Sequence, residues 1–185
     1  MNYHNITHDD MLNGEGLRTV LWVAGCDHHC PGCQNPETWD PEGGIEFDDD
    51  AVNELFAYLD KDYCAGLTLT GGDPLYSKNL DTILGILVKF RARYDWNKTI
   101  WVYTGYELDD LYRSNVPEVH AILDLIDVIV TGPYMESQKC TERLWVGSDN
   151  QEIWRQYDGP DIYGWKRDAK QYQDSLNEKG VCHLG

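Results

Sequence analysis

The segment Gly25–Pro36, GCDHHCPGCQNP, constrains this chain more than any other, because it gathers Cys26, Cys30 and Cys33 in a C-x3-C-x2-C spacing. Thiolates so close in sequence can converge on one soft metal centre at little loop-closure cost. Soft sulfur selects zinc or an iron–sulfur centre over magnesium or calcium. A tetrahedral zinc site or an ordinary electron-transfer cluster wants a fourth protein ligand. No fourth Cys or His follows at an obvious spacing. Cys64, Cys140 and Cys182 are scattered, and His28 and His29 lie inside the loop itself. The arithmetic favours a 4Fe–4S cluster held by three cysteines, with one iron open to a substrate or cofactor. A zinc or disulfide cluster is the competing reading. The remaining three cysteines read as small buried hydrophobes.

A chain of 185 residues with 42% hydrophobic and 25% charged residues fits one soluble α/β domain with a real core. Its longest apolar runs, such as Thr19–Ala24, are far too short to span a bilayer. The opening MNYHNITHDD carries no basic-then-apolar leader pattern. The expectation is therefore a cytoplasmic protein with no membrane partner, in a compartment that favours thiolate ligation over disulfides. A net charge of −17 repels phosphate backbones and argues against a nucleic-acid partner. It suits docking on a basic protein surface.

Hydrophobic patterning predicts strands at Leu17–Ala24, Gly66–Thr70, Thr99–Tyr103 and Ile126–Thr131, and a further one at Arg143–Val146. Helices are expected at Asp49–Leu59, Lys78–Tyr94, Glu107–Arg113 and Pro117–Leu125, the second burying Leu80, Ile83, Leu84, Leu87, Val88 and Phe90. Asp48-Asp49-Asp50 reads as a helix N-cap and not as a metal site. Residues 1–16 read as polar chain ending in a turn at Asn13-Gly14-Glu15-Gly16. The alternation implies parallel strands joined by right-handed crossovers. The cysteine loop, Gly71-Gly72-Asp73-Pro74 and Thr104-Gly105-Tyr106 then leave C-terminal strand ends, where sites of such sheets are built. Asp127 is expected near the same mouth. Two adjacent glycines at 71–72 let backbone approach a ligand.

The cysteine triplet is also the signature of radical S-adenosylmethionine (SAM) enzymes. With NGEGLRTVLWVAGC before it and PGCQNPETWD after it, LTGGDPLY at 69–76, IWVYTGYELDDL at 100–111, DVIVTGPY at 127–134 and LWVGSDNQ at 144–151, the chain resembles the activating proteins of anaerobic (class III) ribonucleotide reductases. The resemblance covers roughly residues 1–154 and leaves 155–185 as a C-terminal tail packed on or extending from that domain. It implies a small incomplete β/α barrel of the radical SAM type. It implies a 4Fe–4S cluster on Cys26, Cys30 and Cys33, with SAM contacted by Gly32, Cys33, Gln34, Gly71, Gly72, Asp73, Pro74, Thr104 and Tyr106. It further implies a cytosolic one-electron donor and, as partner, the anaerobic ribonucleoside-triphosphate reductase, whose glycine would lose a hydrogen atom. No catalytic side chain beyond cluster and SAM is then needed. Three positions depart from the pattern: Glu15 replaces a Pro, Gly32 an aromatic, and Val146 an Arg. The alternatives are an activase of another glycyl-radical enzyme, such as pyruvate formate-lyase, or a non-enzymatic iron–sulfur or zinc module.

Overall fold

Strands rich in branched residues alternate with amphipathic helices, and the computed structural model assembles them on one eight-stranded sheet. It describes residues 1–156 and 164–168. In chain order the elements are β1 (Asn2–Asp10), β2 (Arg18–Val23), β3 (Ile45–Glu46), α1 (Asp49–Leu59), β4 (Gly66–Gly71), α2 (Leu80–Tyr94) and β5 (Thr99–Tyr103). They continue with α3 (Leu108–Arg113), α4 (Pro117–Leu125), β6 (Val128–Thr131), β7 (Glu152–Gln156) and β8 (Trp165–Arg167). The sheet order is β3-β1-β2-β4-β5-β6-β7-β8. β2, β4, β5 and β6 run parallel, while β1 and β7 pair antiparallel on either side.

The order of the parallel strands decides where a site can sit. They lie side by side in sequence order, so right-handed crossovers place every helix on the same face of the sheet. Side chains divide accordingly, with the period of two that a strand imposes. Leu21, Val23, Leu67, Leu69, Ile100, Val102 and Ile129 pack with Leu55 and Leu59 of α1, Ile83, Leu87 and Phe90 of α2, and Ile122 of α4. The intervening residues, among them Trp22, Thr70, Trp101 and Tyr103, belong to the face without helices. There Trp101, Val128, Val130 and Ile153 form a second, smaller apolar cluster.

Most expected elements are present, and α1 starts as expected: the Asp48 Oδ1 accepts a hydrogen bond from the Ala51 N–H at 3.0 Å. Four differences have physical reasons. Residues 2–10 form β1, which the polar text hid because one face of that edge-side strand is solvated. Arg143–Val146 forms no strand; it belongs to a turn that the Arg143 guanidinium holds through the carbonyls of Asp149 and Gln151. Val88 is exposed, and Ile86 is buried in its place on α2. β7 runs past residue 154 and β8 pairs with it, so the sheet extends into the segment expected as a tail. The rest of that segment, with Cys182, lies outside the described residues. Among the described residues no helix is long and apolar enough to cross a membrane.

Candidate functional site

The C-terminal ends of β2, β4, β5 and β6 open onto a cavity of about 400 Å³ on the helix-free face. Small-molecule sites fall in that size range. Its upper wall carries Cys26, Cys30 and Cys33 with Gln34 and Asn35, and the turns after β4 and β5 add Gly71, Gly72, Asp73, Thr104 and Gly105. Trp22, Thr70 and Tyr103 supply side chains from the strands, while Tyr134, Trp145, Gly147 and Gln151 come from the segment between β6 and β7. The Tyr103 hydroxyl is buried without a hydrogen-bond partner.

All three thiols are free and partly buried. Backbone N–H groups are aimed at their sulfurs: Asn35 N–H donates to Cys33 Sγ at 3.4 Å, those of His28 and His29 face Cys26, and that of Tyr134 faces Cys30. Such donors suit a thiolate, which is the form that ligates a metal. Burial alone acts the other way. It pushes the Cys26 thiol up to about 11, with the Asp73 charge adding to the effect, and raises Cys30 as well. A bound metal inverts that balance and deprotonates a coordinating thiol outright. Among the described residues no three His, Cys, Asp or Glu side chains stand gathered around a single point, as one metal ion would need. The three thiols share one cavity wall.

The cysteine loop is tied at its stem. Gly25 N–H donates to Thr38 O at 2.8 Å, Cys26 N–H to Trp39 O at 3.1 Å, and Asp73 N–H to Gly25 O at 2.8 Å. Asn79 Nδ2 bridges Ala24 O and Asp73 O at 2.9 and 3.1 Å. Both glycines at the end of β4, Gly71 and Gly72, are demanded by this packing. A Cβ on Gly71 would stand 2.7 Å from Val23 N, and one on Gly72 would run into Gly25 O and stand 2.8 Å from Thr38 O.

Asp73 is 2% exposed, and both its carboxylate oxygens accept hydrogen bonds. Oδ2 accepts from His28 Nε2 at 3.0 Å, Thr104 Oγ1 at 2.9 Å and Gly105 N–H at 2.9 Å, and Oδ1 accepts from Leu75 N–H at 2.8 Å. Tyr106 stands edge-on to the His28 ring at 4.5 Å and does not line the cavity. Pro74 is buried behind the turn. Gly32 also lies off the cavity wall, with the Glu136 carboxylate against it where a side chain would project. Asp127 sits at the far end of the sheet, where it accepts from Ile100 N–H and from Arg91, both at 2.6 Å. It precedes β6, so it cannot reach the mouth that β6 leads into.

A family model described as a 4Fe-4S single cluster domain matches residues 12–154, which include all three loop cysteines. The anaerobic ribonucleoside-triphosphate reductase-activating protein of Enterobacteria phage T4 is 43% identical over 168 residues, covering 91% of this chain and all of that protein. The proteins of the same name from Escherichia coli K12 and Haemophilus influenzae are 39% and 38% identical, over 83% and 84% of this chain and 97% and 98% of their own. The chain belongs to the anaerobic ribonucleoside-triphosphate reductase-activating protein family.

For this member of the family, sequence reasoning missed the cavity's strand-borne residues Trp22, Thr70 and Tyr103, and it set His28 aside. The first three could have been found from the period of two, once Leu21, Leu69 and Val102 were placed on the helix side. His28 carried no signal beyond lying between two ligand candidates.

Proposed function

We propose that this chain is a radical SAM activase that holds a 4Fe–4S cluster on Cys26, Cys30 and Cys33 and installs a glycyl radical on an anaerobic ribonucleoside-triphosphate reductase. The observation that carries the reading is the placement of all three cysteines on one cavity wall, at the C-terminal ends of parallel strands, in a chain of this family. The one-sided layout of helices supports a partial β/α barrel of the radical SAM type. Cys26, Cys30 and Cys33 would hold the cluster, and cluster and SAM together would supply the one-electron chemistry needed to remove a hydrogen atom from glycine.

The chain's own residues do the rest. N–H groups of residues 28, 29, 35 and 134 neutralise part of the thiolate charge. Backbone around Gly71 and Gly72 faces the cavity and offers carbonyl acceptors to an ammonium group, while Gln34 and Asn35 offer further polar contacts beside Cys33. The Thr104 hydroxyl is spent on Asp73, so Thr104 reaches a ligand through its main chain. Trp22, Tyr103 and Trp145 wall the cavity with rings and keep water from a reactive carbon. The electron comes from a cytosolic donor, and the acidic surface favours a basic docking patch on the reductase.

The test is anaerobic reconstitution with iron and sulfide, reduction, and measurement of 5′-deoxyadenosine and of the glycyl-radical signal with and without the reductase. Release of 5′-deoxyadenosine coupled to radical formation supports the reading. A reconstituted, reduced protein that leaves SAM intact overturns it.

A further inference from the structure

We infer that Asp73 and His28 form a latch that fixes the cysteine loop to the ends of β4 and β5, and that Asp73 is a positioning residue and not a ligand of SAM. The inference rests on the cluster-binding part of the function proposed above. Its first support is how heavily the carboxylate is already bonded. Asp73 receives four donors from the protein itself, three on Oδ2 and one on Oδ1, at 2.8 to 3.0 Å. Oδ2 is thereby filled, and at 2% exposure the group has no water to give up to a ligand.

The second support is what the four donors connect. His28 lies midway between Cys26 and Cys30, Leu75 follows the β4 turn, and Thr104 and Gly105 follow β5. One buried carboxylate thus joins three consecutive loops of the cavity mouth. The third is the seat built for the imidazole. Tyr106 packs edge-on at 4.5 Å, and a Cβ on Gly105 would stand 2.5 Å from His28 Cδ2, so only glycine leaves room for the ring. The two halves of the seat, Gly105 and Tyr106, follow the very threonine that donates to Asp73. With His28 held, the backbone of residues 28 and 29 keeps its N–H groups on Cys26.

The test uses the full-length protein with its reconstituted cluster and follows loss of cluster absorbance after a chelator is added. His28→Leu should speed that loss about tenfold, the effect of one hydrogen bond to a charged group, and Asp73→Asn by at least as much, because it also disturbs the bonds from Leu75, Thr104 and Gly105. The double variant should be no worse than Asp73→Asn alone, which already removes the contact that His28→Leu removes. His28→Gln, which restores an N–H close to Nε2, should recover most of the wild-type lifetime. Hydrogen exchange on the metal-free protein gives a second readout: amides of residues 27–30, 32 and 33 should exchange faster in His28→Leu and return towards wild type in His28→Gln. SAM affinity of the intact-cluster fraction of Asp73→Asn should be unchanged. Weakened SAM binding in Asp73→Asn, with unchanged cluster lifetime and loop exchange, would overturn the inference. So would additive effects of the two substitutions, or no rescue by His28→Gln. Should Asp73→Asn fail to fold, the His28 pair alone still decides. Failure of the activase reading shows up separately, as wild-type protein that keeps its cluster and leaves SAM uncleaved.

Discussion

Gly72→Ala is expected to loosen the cysteine loop and only secondarily to disturb SAM. The methyl group would run into Gly25 O and stand 2.8 Å from Thr38 O and 3.0 Å from Gly25 C, against the 3.4 Å or more of ordinary contact. Both obstacles are backbone, and both are already held: Gly25 O by Asp73 N–H and Thr38 O by Gly25 N–H, each at 2.8 Å. The loop stem must therefore retreat by several tenths of an ångström and stretch both bonds. Overpacking of this kind costs about 1–3 kcal/mol, and each weakened hydrogen bond about 1 kcal/mol. Alanine regains up to about 1 kcal/mol through the stiffer unfolded chain. The net is on the order of 2–4 kcal/mol, a large share of the 5–15 kcal/mol that a domain commands. The assays are the urea midpoint of the metal-free protein and iron per chain after reconstitution and desalting, and both should fall together. A variant with wild-type midpoint and iron content that has lost only SAM affinity would refute the reasoning and show that the glycine serves ligand approach.

Replacing Cys26, Cys30 or Cys33 singly with Ala should abolish stable cluster assembly, whereas Cys140→Ala should leave iron content unchanged; iron and sulfide analysis checks both. Arg18→Met should destabilise the fold by about 1–3 kcal/mol for each buried acceptor left unsatisfied, because it strips a buried guanidinium from Thr68, Leu67, Thr99 and Glu15; a urea midpoint within error of wild type would exclude this. Glu107 is raised above the ordinary carboxylate range by partial burial, with Glu152, Asp110 and Asp109 adding repulsion. Its native form binds the proton more tightly than the unfolded chain does, so stability is retained below the unfolded pKa and lost as pH rises through the folded one. Glu107→Gln should therefore raise the urea midpoint at pH 7 and bring no gain near pH 4.

How much was legible depended on whether a residue's job is local. The parallel strands and α1 to α4 are written in hydrophobic periods, and the Asp48 cap is a contact three residues long, so all could be read from the chain. The three cysteines are close in sequence, and their sharing of one cavity follows from spacing alone. The bonds that hold Asp73 could not be read from the chain, because its partners His28, Thr104 and Gly105 lie 45, 31 and 32 positions away. β1 escaped notice because its pattern of His, Asn, Thr and Asp resembles loop. Its strand character comes from pairing with β2, in a register that sets Tyr3 against Val23 and Thr7 against Val20.

The two ends of the helix-free face are treated in opposite ways, and this difference places the chemistry. At the N-terminal end Arg18 is fully buried, spends its donors on backbone and threonine oxygens, and lies over the Trp101 ring at 5.6 Å. The Asn13-Gly14-Glu15-Gly16 turn closes over that pair. Gly14 has φ +130°, and a Cβ there would stand 2.8 Å from Arg18 Cδ and 2.9 Å from Trp101 Cδ2, so no other residue fits. Glu15 then anchors the turn to Arg155 of β7, at 2.9 Å. Burial pushes Arg18 down to about 10, and a charge kept at neutral pH under that burden has to be held by every available acceptor. An end sealed so thoroughly admits nothing. Towards the C-terminal end the same face carries Trp22, Thr70 and Tyr103 with space above them, lined by the cysteine loop, by the turns after β4, β5 and β6, and by Leu12 and Asn13 before β2. Stability is thus concentrated on the helix side and at the plug, where a Leu→Ala change costs about 2–5 kcal/mol. Substitutions at Trp22 and Thr70 fall on a surface that folding leaves unfilled, so their effects belong first to what binds there, whereas Tyr103 also packs on the Trp101 cluster.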